Sequence, residues 1–78
     1  MNKTDIELKI LFVFNLLLKV DQINIASNMD NTDGWDSLMH IQILTAIEAE
    51  FNIELKFEDT LNMLDIKNII DTVSSYIN

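Results

Sequence analysis

The chain has 78 residues, a length that predicts one small domain with a modest hydrophobic core. It has no cysteine and a single histidine, which excludes disulfides, a catalytic thiolate and most zinc sites and leaves little room for an enzyme. Its 13 acidic residues against 5 basic ones give a net charge of −8, which disfavours nucleic acids and anionic lipids as partners and favours basic protein surfaces.

The first predicted helix begins near Thr4 or Asp5, either of which could cap it, and ends near Leu18. The apolar run at 10–18 is too short to span a bilayer, and the segment before it lacks the basic character of a signal peptide. We therefore expect a buried helix, no membrane insertion and a cytoplasmic protein. Helical spacing predicts a buried stripe of Ile6, Ile10, Val13, Phe14 and Leu17.

Residues 19–35 are predicted to form a long loop, because polar residues predominate and no helical spacing is sustained. Loops of this length in compact domains are usually functional. Its acidic end fails as an EF-hand: with Gly34 at the sixth position, Met29 and His40 fall where the first and last oxygen ligands are required. No metal site is predicted. The side chains expected to anchor the loop are Val20, Ile23, Ile25 and Met29.

The second main helix is predicted to begin at Asp36 or Ser37 and to end at about Phe51, with Asn52 as a stop signal. Its predicted buried stripe is Leu38, Ile41, Leu44, Ile47 and Phe51.

One short helix or turn is expected across residues 58–63, followed by a last helix over roughly 65–76. The fold class is therefore predicted to be all-α, an antiparallel bundle of three main helices and one short helix. We expect a single domain over residues 1–78, with a long first loop. The last helix is predicted to bury Ile66, Ile69, Ile70, Val73 and Ile77.

Ser37 stands at the start of the second predicted helix, directly after Asp36. Both residues are favoured N-caps, so capping alone would explain the pair. A helix N-terminus also gathers backbone N–H groups and the positive end of the helix dipole, which suit a phosphate. A nucleophilic serine needs a base, and His40 lies three residues on, but no G-x-S-x-G motif or preceding strand frames the serine. Hydrolase chemistry is not expected, and His40 is predicted to be solvent-facing or half-buried.

Three segments resemble an acyl carrier protein: "GWDSL" at 34–38, "AIEAEFNIEL" at 46–55 and "IDTVSSYI" at 70–77. D-S-L alone is a weak signal, but it occurs here with the length, acidity and helix order of that family. The resemblance covers essentially the whole chain. The W-D-S-L variant is similar to free-standing carriers of specialised pathways.

The resemblance implies that a phosphopantetheinyl transferase esterifies Ser37 with 4′-phosphopantetheine, whose thiol carries acyl groups as thioesters. Asp36 would help the transferase hold its magnesium. The chain would then be a carrier and not an enzyme. Two alternatives stay open: an aminoacyl or peptidyl carrier of the same fold, or a small acidic interaction module in which Asp36 and Ser37 only cap the helix.

The resemblance also implies that the exposed side of the second helix docks acyl-activating, acyltransferase or synthase enzymes through their basic patches. Met39 and Gln42 stand where the family commonly has acids, which weakens electrostatic steering toward such partners. Trp35 is expected either to cover the loop–helix junction or to contact the arm or a partner. The chain is expected to be a monomer. The predicted partner-binding residues are Trp35, Leu38, Met39, Gln42 and Glu48.

Overall fold

The structure is a computed structural model that describes residues 1–18 and 22–77. Within these ranges no β-strand forms, apart from one isolated bridge between Asn28 and Asp65. The predicted all-α bundle of three main helices and one short helix is confirmed. The helices are α1 (Lys3–Leu18), α2 (Ser37–Phe51), α3 (Phe57–Thr60) and α4 (Ile66–Ile77).

α1 begins slightly earlier than predicted, because Asn2 and not Thr4 or Asp5 caps it. The Asn2 side chain accepts a hydrogen bond from the Asp5 N–H at 2.9 Å. α1 packs against both α2 and α4 and so forms the centre of the bundle. None of the described helices is long and apolar enough to cross a bilayer. The buried residues of α1 match the prediction and are Ile6, Ile10, Val13 and Phe14, with Leu17 half-buried.

The face that α2 turns to the core overlaps the predicted stripe only in part: Ile47 is buried as predicted, but Ile43 was not predicted to be buried. Ile43 and Ile47 are fully buried, whereas Leu38 is 68% exposed and Ile41 is 63% exposed. The predicted stripe advanced in steps of three residues, and each such step rotates by about 60° around an α-helix. A stripe built that way drifts off one face, so its assignment of Leu38 and Ile41 to the core was wrong. The half-buried members of that stripe are Leu44 and Phe51.

The loop before α2 is held against the start of α4 by backbone hydrogen bonds. The N–H of Met29 donates to the carbonyl of Leu64, and the N–H of Ile66 donates to the carbonyl of Ser27, each at 3.0 Å. Ser27 is itself buried. These bonds hold the middle of the loop, residues 27–29, beside the start of α4.

The apolar anchors predicted for this loop are confirmed only in part. Ile23 and Met29 are half-buried and pack against the core, but Ile25 is exposed, so its assignment as an anchor was wrong. Val20 lies outside the described residues. The strongest anchor is Trp35, which is 3% exposed.

The C-terminal part of the chain is tied together by Tyr76. Its hydroxyl accepts a hydrogen bond from the Lys56 N–H at 2.8 Å and donates one to the carboxylate of Asp59. Asp65 caps α4 by accepting from the Asn68 N–H at 2.7 Å. The buried residues of α4 are those predicted, Ile66, Ile69, Ile70 and Val73, with Ile77 half-buried.

Candidate functional site

Ser37 is the first residue of α2, and its side chain is exposed. The chain reaches it through Gly34, which has a φ of +85°, and Asp36, which is extended with φ −107° and ψ −175°. A positive φ suits glycine because no Cβ is present to crowd the backbone. The G-x-D-S segment therefore makes an abrupt change from loop to helix that presents the serine hydroxyl.

The N-terminus of α2 retains unpaired backbone donors next to this hydroxyl. Asp36 accepts from the Met39 N–H through its side chain at 2.9 Å and from the His40 N–H through its carbonyl at 2.8 Å. In the part of the chain that the structure describes, the N–H groups of Ser37 and Leu38 have no hydrogen-bond partner. These donors and the helix dipole favour an anion beside the hydroxyl. A phosphate esterified to Ser37 therefore fits the site chemically.

Among the described residues, no general base is hydrogen-bonded to Ser37. Nδ1 of His40 instead accepts a hydrogen bond from Nε1–H of Trp35 at 3.0 Å. The Ser37 hydroxyl forms no hydrogen bond with any described residue. Across residues 1–18 and 22–77 no three metal-ligating side chains cluster together either. The Ser37 hydroxyl is therefore exposed to solvent and has no activating partner among the described residues.

Trp35 was predicted as a partner-binding residue, and its burial corrects that prediction. Its indole packs edge-on against Phe14 of α1, with ring centroids 4.7 Å apart. An indole with 3% of its surface exposed is not offered to a partner. Trp35 covers the loop–helix junction, which was the other expectation for this residue.

The remaining predicted partner-binding residues differ in accessibility. Leu38 and Gln42 are exposed on α2, and Met39 is half-buried. Glu48 is half-buried, and its carboxylate accepts from the Leu55 N–H at 2.8 Å. That carboxylate is therefore already engaged within the chain.

The exposed face of α2 is less acidic than the sequence suggests. Besides Glu48, the helix contains one further acid, Glu50, which pairs with Lys9 of α1 at 3.4 Å between Nζ and Oε1. Leu38 and Ile41 are the large apolar side chains that the helix exposes. The exposed face of α2 that follows Ser37 is thus predominantly apolar and neutral, whereas Asp36 before it has an exposed carboxylate.

An apolar cleft between α2 and α3 continues this surface, and the sequence analysis did not predict it. Phe57 is 76% exposed at its edge, and Leu61 and Leu64 are also exposed. The cleft could have been predicted from the segment 57–64, because it contains more apolar residues than a four-residue helix can bury. The apolar residues that line the cleft are Ile41, Leu44, Phe57, Leu61 and Leu64.

Comparison with known proteins agrees with this geometry. Residues 9–73 match the profile of a family described as the phosphopantetheine attachment site. An acyl carrier protein of Buchnera aphidicola subsp. Schizaphis graminum is 33% identical over 76 residues, which cover 96% of this chain and 95% of that protein. An acyl carrier protein of Buchnera aphidicola subsp. Baizongia pistaciae is 36% identical over 42 residues, 54% of either chain.

The fold comparison leads to the same family. A solved structure from Mycobacterium tuberculosis, described as a candidate acyl carrier protein, matches with a TM-score of 0.82 and 26% sequence identity over 91% of this chain and 97% of that one. Since the matched family is the phosphopantetheine attachment site, 4′-phosphopantetheine is the cofactor, and the role is that of a non-catalytic carrier. On the strength of the family match and the near full-length relative, this chain belongs to the acyl carrier protein family.

Proposed function

We propose that Ser37 is the residue to which 4′-phosphopantetheine is attached, and that the chain presents acyl or related intermediates to partner enzymes. One observation carries the proposal: an exposed hydroxyl at the N-terminus of α2, beside two backbone N–H groups without partners among the described residues. When bound, the group supplies a thiol that holds acyl groups as thioesters, and this cysteine-free chain has no thiol of its own.

The other serines lack these features. Ser27 is buried, and its hydroxyl oxygen accepts from the Asn24 N–H at 3.0 Å. Ser74 and Ser75 lie within α4, where the backbone N–H groups are used by the helix, and the Ser75 hydroxyl donates to the Thr72 carbonyl at 2.6 Å. These differences support Ser37 as the modified residue.

The residues around Ser37 have separable roles in this proposal. Asp36 holds the first turn of α2 by capping it, and its exposed carboxylate is the feature that we propose the transferase recognises. The N–H groups of Ser37 and Leu38 would stabilise the negative charge of the phosphate diester. The chain itself needs no acid or base, because a separate transferase performs the chemistry.

We propose that partner enzymes dock on the face formed by Leu38, Met39 and Gln42, and that Ile41 extends it toward the cleft. Monomeric proteins rarely expose contiguous apolar patches unless these make contacts. Leu38→Asp should therefore raise the KM of a phosphopantetheinyl transferase for this chain more than Ala49→Ser, a change at an exposed position on the same helix. Equal KM values for the two variants would argue against this docking face.

The attachment site can be tested by incubating the protein with coenzyme A and a broad-specificity phosphopantetheinyl transferase, followed by intact mass measurement. The wild type should gain one phosphopantetheine, and Ser37→Ala should gain none while keeping the helical circular dichroism spectrum. Ser75→Ala serves as the matched control and should be modified like the wild type. Modification of Ser37→Ala, or no modification of the wild type by several transferases, would contradict the proposal.

A further inference from the structure

Trp35 and His40, the only tryptophan and the only histidine of the chain, form a hydrogen-bonded pair on either side of Ser37. Nε1–H of Trp35 donates to Nδ1 of His40 at 3.0 Å, and the two rings are inclined by 27°. The indole is also packed edge-on against Phe14 of α1. The pair therefore connects the first turn of α2 to the buried face of α1.

This hydrogen bond defines the protonation state of His40. Because Nδ1 accepts, the ring is neutral and carries its proton on Nε2. Nε2 is shielded from solvent and forms no hydrogen bond of good geometry within the described residues, although the nearby backbone of Thr60 favours protonation. Burial outweighs that contact and lowers the pKa of His40. A protonated ring would point a second donor at the Trp35 N–H, so the pair requires neutral His40.

No ion pair compensates a positive charge on His40 in the part of the chain described. On α3, Asp59 is hydrogen-bonded to Tyr76, and on α2, Glu48 is hydrogen-bonded to the Leu55 N–H. The face of α1 behind the pair is apolar. The other acids on α1, on α2, on α3 and in the described loop before α2 are Asp5, Glu7, Asp30, Asp33, Asp36, Glu50 and Glu58, and none of them forms an ion pair with His40.

The position of the Ser37 hydroxyl depends on the backbone of this turn. The hydroxyl has no hydrogen bond to a described residue, and the carbonyl of Asp36 accepts from the His40 N–H at 2.8 Å. We propose that the Trp35–His40 hydrogen bond positions Ser37 for its modification, with His40 as a positioning residue. This inference rests on the proposed function, because the modification is the transfer of phosphopantetheine to Ser37.

In that transfer the Ser37 oxygen forms a bond to the phosphorus of the pantetheine phosphate, and the phosphoanhydride bond of coenzyme A breaks. Adenosine 3′,5′-bisphosphate leaves, and the hydroxyl proton passes to a base of the transferase. The carrier contributes only the placement of its oxygen atom. Small misplacements of a reacting atom slow such reactions strongly.

Three variants separate the hydrogen bond from the packing. His40→Leu removes the acceptor, and Trp35→Phe removes the donor but retains an aromatic ring. His40→Asn keeps an oxygen acceptor near the position of Nδ1 and cannot be protonated in the accessible pH range. Ala49→Ser is the control on the same helix. All are assayed at neutral pH with coenzyme A and the transferase, after circular dichroism shows that they are folded.

Loss of one hydrogen bond should lower the transferase kcat/KM for His40→Leu and Trp35→Phe by roughly 2- to 10-fold. His40→Asn and Ala49→Ser should stay within about 2-fold of the wild type, since neither removes the acceptor. Wild-type efficiency in His40→Leu, or a loss in His40→Asn as large as in His40→Leu, would overturn the inference. If the wild type is not modified at all, the proposed function fails, which is a different result.

Trp35 emission provides a readout that does not need the transferase. An imidazolium in contact with an indole quenches its fluorescence, so protonation of His40 should dim the emission as the pH falls. The midpoint should lie below the ordinary histidine pKa of 6.5, and transferase efficiency should fall with it. His40→Asn should show neither change near that midpoint. A wild-type emission that stays constant through this range would overturn the pairing itself.

Discussion

Ile43 and Ile41 offer a direct test of which face of α2 packs into the core. They lie two residues apart on one helix, yet Ile43 is fully buried and Ile41 is mostly exposed. Ile43→Val deletes one methyl group from a packed site, which should lower the free energy of unfolding by about 0.5–1.5 kcal/mol. The same change at Ile41 should stay within about 0.5 kcal/mol, because this side chain is largely in water.

The size of the chain makes this difference measurable. A domain of 78 residues is expected to have a total stability of about 4–12 kcal/mol, so the valine variants should remain folded. A loss of 1 kcal/mol should lower the Tm of such a domain by about 4–8 °C. The larger change Ile43→Ala should cost about 2–5 kcal/mol, a large fraction of the total.

Urea unfolding followed by circular dichroism gives the free energy for both variants under the same conditions. Equal m-values would show that the change lies in stability and not in the compactness of the unfolded state. A larger loss for Ile41→Val than for Ile43→Val would mean that the stripe through Leu38 and Ile41 packs inward. That result would refute the orientation of α2 described above and the docking face based on it.

Two further predictions concern titrating groups. The ammonium groups of Lys3, 2.6 Å from Oδ1 of Asp71, and of Lys67 hold the pKa of Asp71 below its ordinary 3.8. The stabilisation of the fold by this pairing is therefore present above pH 3.8 and is lost as the pH falls through the lowered pKa. In Lys3→Gln the carboxyl resonance of Asp71 should titrate closer to 3.8, and an unchanged midpoint would contradict the pairing. The hydrogen bond to Asp59 raises the pKa of Tyr76 above its ordinary 10. The contribution of this hydrogen bond to the stability of the fold is therefore present below pH 10 and is lost as the pH rises through the raised pKa. Asp59→Asn should lower the Tyr76 midpoint seen by ultraviolet absorbance, and no shift would show that Asp59 is not the cause.

The buried residues of α4 were predictable because its apolar residues alternate with polar ones at helical spacing, whereas α1 is apolar on most of its surface and also exposes Leu8, Phe12 and Leu16. The inward face of α1 is formed by four residues at helical spacing, Ile6, Ile10, Val13 and Phe14. Helix boundaries were less certain, since several neighbouring residues at the start of α1 can all cap a helix and only the folded backbone selects Asn2.

α2 could not be oriented from its sequence because apolar residues occur on most of its surface. Steps of three and steps of four both produce plausible stripes between Leu38 and Ile47. The choice depends on what α1 presents to the helix, which is tertiary information. Packing against α1 selects Ile43 and leaves Ile41 in solvent.

The position of Ser37 was predictable from local chemistry, whereas the state of His40 was not. Glycine favours the positive φ of the turn at Gly34, and aspartate is a favoured N-cap at Asp36. The start of α2 therefore follows from the residue types next to Ser37. The pairing of His40 with Trp35 requires the indole to be buried against α1 first. No short-range pattern contains that contact.

Leu38 and Ile41, which were wrongly predicted to be buried, are the residues that support a docking face. Exposing Leu38 and Ile41 forgoes the gain of about 1.5–3 kcal/mol that burying each side chain would provide. Ile43 and Ile47 already fill the space against the core, and a rotation of α2 that buried Leu38 and Ile41 would move Ile43 toward solvent. Apolar side chains that the fold has no room to bury, set one turn from an exposed serine, are available to a partner protein that approaches that serine.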